Sequence, residues 1–521
     1  MNYVDQTGTT TLWQESREEL NRTFHLRVGY EKTFDSHSVN LFAAYEQYTH
    51  HGEFFNAYRR DLVTPDLPYL FSGSDEGQNN SGMGFQSARK NYFGRINYNY
   101  QEKYLLEFTL RYDGSENFRK EMRYGLFPGV SLGWRLTEEP FFSSDRLSSL
   151  KIRASWGQLG NDKVPNFQYL QFYNLSNSYI FGEDKSRTLG LTPGTTPNPN
   201  ITWETAEKSN IGADFAFHNI LRGTIELFHT KRSDILTPRN ASIPVYTGMT
   251  LPDENIGEVK NQGFEFDLKH YNKFQSINYN IGGQFTYARS EIIFIDEAEN
   301  IPDYQRRTGN PIDYILIYEA DGIYQNWEEI GASAHFADAK PGDVKFIDKN
   351  DDDIIDANDK IILNNSPTPK IVYGISFDAS WKNFSLSMFL QGQAMAQTIY
   401  RPWDINQQSV YFEERWISER MTPNATYPAA YDMSSSSIQN ESTIWIKDNS
   451  FLRFKNIQLS YTFTDRILER SALKAFSVFI SGHNLFFIYD KVKFNDPEST
   501  SKTGWYYPQQ RLVSAGLSIT F

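Results

Sequence analysis

The sequence KYLLEFTLRYD, residues 103–113, alternates between two kinds of side chain. Because successive side chains of a β-strand point to opposite faces, a period of two predicts a strand whose faces meet different environments. The final residues RLVSAGLSITF (511–521) alternate in the same way. The apolar sets are Tyr104, Leu106, Phe108, Leu110 and Tyr112 in the first segment, and Val513, Ala515, Leu517, Ile519 and Phe521 in the second.

Many other segments repeat this two-sided pattern over roughly ten residues, a length that crosses a bilayer as a tilted barrel strand. No run of 18 or more apolar residues occurs in the chain, which excludes a helical membrane span. A transmembrane barrel is compatible with this hydropathy, because its strands show lipid only every second residue. The sequence therefore predicts an all-β, antiparallel transmembrane β-barrel in contact with outer-membrane lipid.

Aromatic residues make up 16% of the chain, with 39 Phe, 32 Tyr and 10 Trp. Transmembrane barrels carry aromatic girdles at both headgroup levels, since Tyr and Trp combine an apolar body with a polar tip. A soluble β-rich protein with an aromatic-lined sugar site is the alternative that composition leaves open.

The connections between the predicted strands alternate in length. Short joins are expected at 100–103, 217–223, 271–276 and 381–385, and long ones at 53–84, 161–200, 236–255, 291–367, 398–448 and 488–506. Outer-membrane barrels have tight periplasmic turns and long external loops, and the pattern gives about 15 or 16 strands. The 291–367 segment is expected to be an extracellular loop insertion.

Several function classes find no support in the sequence. The net charge of −13 argues against a nucleic-acid partner, which would require a basic surface. The absence of cysteine removes disulfides, thiol nucleophiles and thiolate metal sites. No nucleophile elbow, phosphate-binding loop, dinucleotide fingerprint or metalloprotease motif occurs, so we expect no catalytic residues and no enzyme activity.

An acidic stretch, DKNDDDIIDAND (348–359), has the spacing of a calcium-binding loop. Calcium prefers six to eight hard oxygen ligands, and clustered carboxylates repel one another unless a cation lies among them. The loop departs from the usual pattern at Asp353, where glycine is common, and in ending on Asp instead of Glu. We predict a structural Ca²⁺ site formed by side chains of Asp348, Asn350, Asp352, Asp356 and Asp359 and the carbonyl of Ile354.

Distinctive motifs follow one another from about residue 90 to the end of the chain. They include NYFGRINYNYQEKYLLEFTLRYDGSENF (91–118), WETAEKSNIGADF (203–215), the acidic loop, NSFLRFKNIQLSYTF (449–463), GHNLFFIYD (482–490) and NDPE (495–498). In sequence and in order, these motifs resemble the barrel strands of SusC-type (RagA/SusC family) TonB-dependent outer-membrane transporters. The resemblance implies a barrel of about 22 strands, an N-terminal plug, a SusD-like lipoprotein lid and a TonB complex that supplies energy.

Nothing in the chain resembles the signal peptide, the TonB-contacting segment or the plug, so residues 1–521 are expected to be the C-terminal part of such a barrel. The resemblance implies import of oligosaccharides or oligopeptides across the outer membrane of a Gram-negative bacterium. Alternatives are a passive porin and, less favoured, a soluble carbohydrate-active enzyme. Aromatic residues in YFEERW (411–416) and GWYYP (504–508) are candidates to stack on a sugar, to clamp the lid or to belong to a girdle.

Overall fold

The chain is built almost entirely of β-strands joined by turns and long connections. The computed structural model describes residues 2–5, 10–183, 186–239, 251–401, 409–430, 435–463, 473–499, 507 and 509–521. The three α-helices within these residues are short, and none is long and apolar enough to cross a membrane: α1 (Trp327–Gly331), α2 (Ser409–Glu413) and α3 (Ser436–Gln439).

The strands, in chain order, are β1 (Asn2–Asp5), β2 (Thr11–Phe34), β3 (His37–Arg60), β4 (Asn79–Tyr100), β5 (Tyr104–Ser115), β6 (Tyr124–Arg135), β7 (Leu147–Asn161), β8 (Tyr173–Phe181), β9 (Ser186–Pro193), β10 (Glu204–Phe217), β11 (Leu221–Thr237), β12 (Glu254–Phe274), β13 (Ile277–Phe294), β14 (Leu316–Tyr318), β15 (Ala320–Ile323), β16 (Val344–Phe346), β17 (Lys360–Ile362), β18 (Ile371–Trp381), β19 (Phe384–Ala394), β20 (Gln397–Ile399), β21 (Ile446–Asp448), β22 (Phe451–Thr462), β23 (Ala475–Asp490) and β24 (Leu512–Thr520).

Within the described residues, sixteen strands form one sheet in the order β1-β2-β3-β4-β5-β6-β7-β10-β11-β12-β13-β18-β19-β22-β23-β24. Neighbouring strands in this order follow one another along the chain, apart from the short strands that belong to the long connections. Those strands form separate pairs, β8 with β9, β14 with β17, β15 with β16 and β20 with β21. The strand number agrees with the prediction of about 15 or 16.

The apolar face of β5 is exposed, and its polar face is the more enclosed one. Leu106 and Phe108 retain 38% and 40% exposure, and the side chains between the apolar ones are half-buried. In the final strand Val513 and Leu517 are 67% and 62% exposed, and Ser514 and Gly516 between them are half-buried. In a soluble protein these apolar side chains would pack against another layer. Their exposure is expected of strands whose apolar face meets lipid.

The tight connections lie at the predicted places. Gln101 and Glu102 have φ of 52° and 57° between β4 and β5, and His218 and Asn219 have φ of 46° and 56° between β10 and β11. Positive φ at both central residues characterises the hairpin turns that match strand twist. One long connection was predicted with wrong bounds, because β3 and β4 continue to Arg60 and from Asn79 and leave only residues 61–78 between them.

The chain divides into two compact units. The first comprises Met1–Leu132, Gly157–Ala206 and Gly248–Asn255, and the second Gly133–Trp156, Glu207–Thr247 and Ile256–Phe521. In the first unit a small core surrounds Trp203, whose ring lies 5.3 Å from Phe118 and 5.4 Å from Phe127 between centroids. In the second unit the larger cores lie in the connections between strands of the main sheet.

Candidate functional site

Two bands of aromatic rings border the apolar face in the first unit. At the turn end, Tyr104 lies 6.2 Å from Tyr100 between ring centroids. At the other end, Tyr112 lies 4.7 Å from Tyr124 and 6.5 Å from Tyr92. Eight residues separate the bands along each strand, which corresponds to about 21 Å of depth at ~3.4 Å per residue and a tilt of ~40°. This depth approaches the ~25 Å apolar band of an outer-membrane barrel.

A hydrophobic core forms between two long connections of the second unit. We call it the loop core; its buried members are Ile315, Ile317, Ile399, Tyr411, Tyr427, Ile438 and Trp445. The rings of Tyr427 and Trp445 stack at 5.9 Å, and Tyr411 meets Tyr427 edge to face at 4.6 Å. The Tyr411 hydroxyl donates to the Tyr400 carbonyl at 2.7 Å, and burial raises the pKa of Tyr411. The residues that join these connections therefore form a packed module.

The described aromatic residues of the two candidate segments, 411–416 and 504–508, lie in different environments. Tyr411 belongs to the loop core and is not accessible to a ligand. The Trp416 indole donates to Gln325 Oε1 at 3.0 Å and is half-buried, whereas Phe412 is exposed. Of GWYYP, residues 504–506 and 508 lie outside the described residues, and Tyr507 is exposed.

A glycine–aspartate pair fastens the two connections together. Gly342 has φ of 94°, and a Cβ placed on it would lie 2.5 Å from Cε3 of Trp416. The Gly342 carbonyl accepts a hydrogen bond from the Ala429 N–H at 2.8 Å. The buried carboxylate of Asp343 accepts from the hydroxyl of Ser435 at 2.7 Å and from the Lys340 N–H at 3.0 Å. Burial raises the pKa of Asp343 above its usual range.

The acidic loop turns sharply at Asp353. Asp353, at the position where glycine is common, has φ of 64°. Its N–H donates to Asp348 Oδ2 at 2.8 Å, and the side chain of Asp352 accepts from the Ile354 N–H at 2.9 Å and from the Asn350 amide at 2.7 Å. These contacts gather the first half of the predicted ligand set into one turn.

Two other predicted ligands, Asp356 and Asp359, cap the short helical turn that follows. Asp359 is fully buried and accepts from the N–H groups of Asp356 at 2.7 Å and Lys349 at 2.8 Å. Tyr304 donates to the Asn358 carbonyl at 2.8 Å, and its pKa is raised first by burial and then by the charge of Asp359. Among the described residues, no three acidic or histidine side chains converge closely enough to enclose an ion. The donor set is hard oxygen throughout, which suits Ca²⁺, but binding requires the carboxylates to turn inward.

A buried ion pair anchors the segment that follows β23. Arg453 on β22 is almost fully buried; its guanidinium lies 2.6 Å from Asp496 and 2.5 Å from Glu498 and stacks 4.2 Å from the ring centroid of Phe487. Sequence analysis noted the motifs that contain these residues without predicting their pairing. The feature of the sequence that could have predicted this pair is FLRF (451–454), in which an arginine stands among apolar residues at the start of a strand. A buried arginine requires a carboxylate partner.

Comparison with known proteins places the chain among outer-membrane receptors. The family model described as "TonB dependent receptor-like, beta-barrel" matches residues 2–485. TonB-dependent receptor P3 of Formosa agariphila is 27% identical over 545 residues, which cover 97% of this chain and 53% of the relative. TonB-dependent receptor SusC of Bacteroides thetaiotaomicron is 27% identical over 544 residues, covering 100% of this chain and 51% of the relative.

The fold also matches a solved structure. A structure described as the RagAB peptide transporter superimposes with a TM-score of 0.80 at 21% identity, covering 99% of this chain and 57% of that chain. The chain spans about half the length of the curated relatives it matches.

Proposed function

The chain belongs to the family of TonB-dependent receptor-like β-barrels, and we propose that it is the barrel part of an importer that takes up nutrients across the outer membrane. The observation that carries the proposal is the family match over residues 2–485, on a sheet whose apolar face is exposed between two aromatic bands. The curated relatives are about twice as long as this chain, so import, cargo and partners are proposed for the whole protein.

Family membership confirms three of the predictions made from sequence. The fold is an all-β antiparallel transmembrane barrel of the SusC type, and the protein resides in the outer membrane of a Gram-negative bacterium. The relatives are receptors and transporters, so the chain is not an enzyme, as expected. A soluble carbohydrate-active enzyme is thereby excluded.

The proposed partners are a SusD-like surface lipoprotein, which would act as a lid, and a TonB complex reached through a plug region. Support comes from the SusC relative and from the RagAB structural neighbour. The proposed cargo is an oligosaccharide or an oligopeptide. The loop core supports a role in cargo or lid binding, because a packed module between the long connections offers a defined surface.

Uptake by cells tests the importer proposal. Deletion of the gene that encodes this chain should abolish growth on one class of oligomer as sole nutrient, and deletion of a neighbouring lipoprotein gene or of TonB should do the same. Purified protein in liposomes should not admit small sugars freely. Free diffusion of sugars in liposomes, together with uptake that survives loss of the lipoprotein and of TonB, would identify a passive porin and refute the proposal.

We also propose that the acidic loop binds Ca²⁺ in a structural role. The positive φ at Asp353, the hard-oxygen donor set and the buried Asp359 support this proposal. Asp359→Asn should weaken calcium-dependent resistance of residues 295–370 to protease. Asp351→Asn is the matched control, because it removes the same charge from the loop at a position outside the predicted ligand set. If chelation leaves the protease resistance of the unsubstituted protein unchanged, the loop binds no calcium of structural importance.

A further inference from the structure

A cavity of about 540 Å³ opens in the second unit where the loop core meets the ends of β19 and β22. This size lies within the usual range for small-ligand sites, ~300–1,000 Å³. The residues that line it include Leu316, Pro367, Pro369, Asn449, Pro497 and Glu498. None of them belongs to the predicted calcium site, and sequence analysis assigned the cavity no role.

The apolar part of the cavity wall is aliphatic and proline-rich. Three prolines and three aliphatic side chains face the space, and Tyr314 is the single aromatic residue among those that line it. Oligosaccharide sites typically present broad aromatic faces on which sugar rings stack. An aliphatic and proline-rich wall instead favours an apolar side chain, which gains free energy by leaving water.

One polar group in the wall of the cavity is the amide of Asn449, a residue that is 3% exposed. The Asn449 side-chain N–H donates to Thr398 Oγ1 at 2.7 Å. The Asn449 Oδ1 has no hydrogen-bond partner among the described residues. The neighbouring Gln393 amide donates to the Asn449 carbonyl at 3.1 Å, which fixes the backbone of Asn449. A buried amide with an unpaired end is costly, and a ligand that supplies a hydrogen bond would remove this cost.

The charged side chains that line the cavity are both carboxylates. Two carboxylates, Glu441 and Glu498, line the space, whereas no lysine, arginine or histidine is among the lining residues. Glu498 is already paired with Arg453 and with Lys455, whose Nζ lies 3.0 Å from its carboxylate. The cavity therefore offers hydrogen-bond acceptors and negative charge to a ligand that carries N–H donors or an ammonium group.

We propose that this cavity binds a segment of an oligopeptide. An apolar side chain of the peptide packs against the prolines, and a backbone N–H or the terminal ammonium bonds Asn449 and faces Glu441. The inference rests on the proposed importer function and deepens it, since it selects the peptide over the oligosaccharide as cargo.

The test uses full-length protein purified in detergent and a pooled set of short synthetic peptides with apolar side chains and free amino termini. Leu316→Trp fills the cavity from a position that is 37% exposed, so it should fold and weaken binding about tenfold or more. Ile312→Trp is the matched control, because Ile312 is exposed on the same segment but does not line the cavity. It should leave binding within about twofold. Asn449→Leu removes the amide at similar volume and should weaken binding about fivefold to tenfold.

Neutral gluco-oligosaccharides serve as comparison probes and should not bind. Saccharide binding that Leu316→Trp abolishes would overturn the peptide assignment, and peptide binding that Leu316→Trp leaves intact would overturn the cavity. A failure of the importer proposal would give a different result from a failure of the cavity inference. If only the importer proposal fails, purified protein still binds peptides in a Leu316-dependent way, while cells lacking the gene take up peptides normally.

Discussion

Arginine substitutions at two adjacent positions of β4 should differ in their cost to stability, because one side chain faces lipid and the other does not. Ile96 pairs with Phe108 of β5, midway between Tyr92 and Tyr100 of the two aromatic bands. Four residues separate it from each, so it lies about 10 Å from either edge of the apolar band. Arginine at the midplane of a barrel's lipid face costs about 2–4 kcal/mol, which lowers the folding equilibrium constant about 30-fold or more.

Asn97→Arg is the matched control. Asn97 lies opposite Glu107 on the polar face, so the new guanidinium meets a carboxylate and should change stability by at most about 1 kcal/mol. Urea titrations of full-length protein in lipid vesicles, with the folded fraction read from migration of unheated samples on gels, measure both values. Equal costs at the two positions would refute the assignment of the faces, and a larger cost for Asn97→Arg would reverse it.

Three further substitutions test the contacts of the long connections. Arg453→Met should destabilise the protein by about 3 kcal/mol in the same urea titration, since it removes the buried cation that Asp496 and Glu498 share and leaves Glu498 with Lys455. Gly342→Ala should cost about 1–3 kcal/mol of local stability, measured as faster proteolysis of the connections, because φ of 94° is strained for alanine and its Cβ would displace Trp416. The raised pKa of Asp343 means that the folded module holds this proton more tightly than the unfolded chain does, so protease resistance should fall as pH rises from the ordinary carboxyl pKa through the raised one. Asp343→Asn should remove that decline, because an amide keeps the bond from Ser435 without charge.

The membrane-spanning strands were predictable because their pattern is local. Alternation in KYLLEFTLRYD follows directly from the pleat, and the structure confirms that the apolar residues are the exposed ones. The bounds of β3 and β4 were not predictable from alternation. Residues 53–60 and 79–84 are strand in the structure, but they lack two chemically distinct faces. This loss of alternation is expected where a strand continues beyond the membrane and both of its faces meet water.

The candidate sites also divide into one that local sequence predicts and others that it does not. The acidic loop was noticed because its predicted ligands follow one another in the sequence, and Asp353, the departure from the usual glycine, has a φ of 64°. The loop core was not predictable, because Ile317, Tyr411 and Trp445 are far apart in the sequence and share no period. The cavity beside it was missed for the same reason, since Pro367, Asn449 and Pro497 come from three separate connections.

Apolar side chains of this protein meet either lipid, on the sheet, or a buried core, in the long connections. This difference explains why the connections are ordered. On the sheet, apolar side chains stay exposed on the protein and are covered by lipid, so the sheet contributes few fully buried residues. The largest fully buried side chains of the second unit, Trp445, Tyr324, Tyr400 and Tyr411, lie instead in the connections, where water would otherwise reach them. A core of this kind holds the backbone of the long connections in place without help from the membrane. The cavity lined by Asn449 therefore has fixed walls, and a ligand that enters it need not first order the loops that bind it.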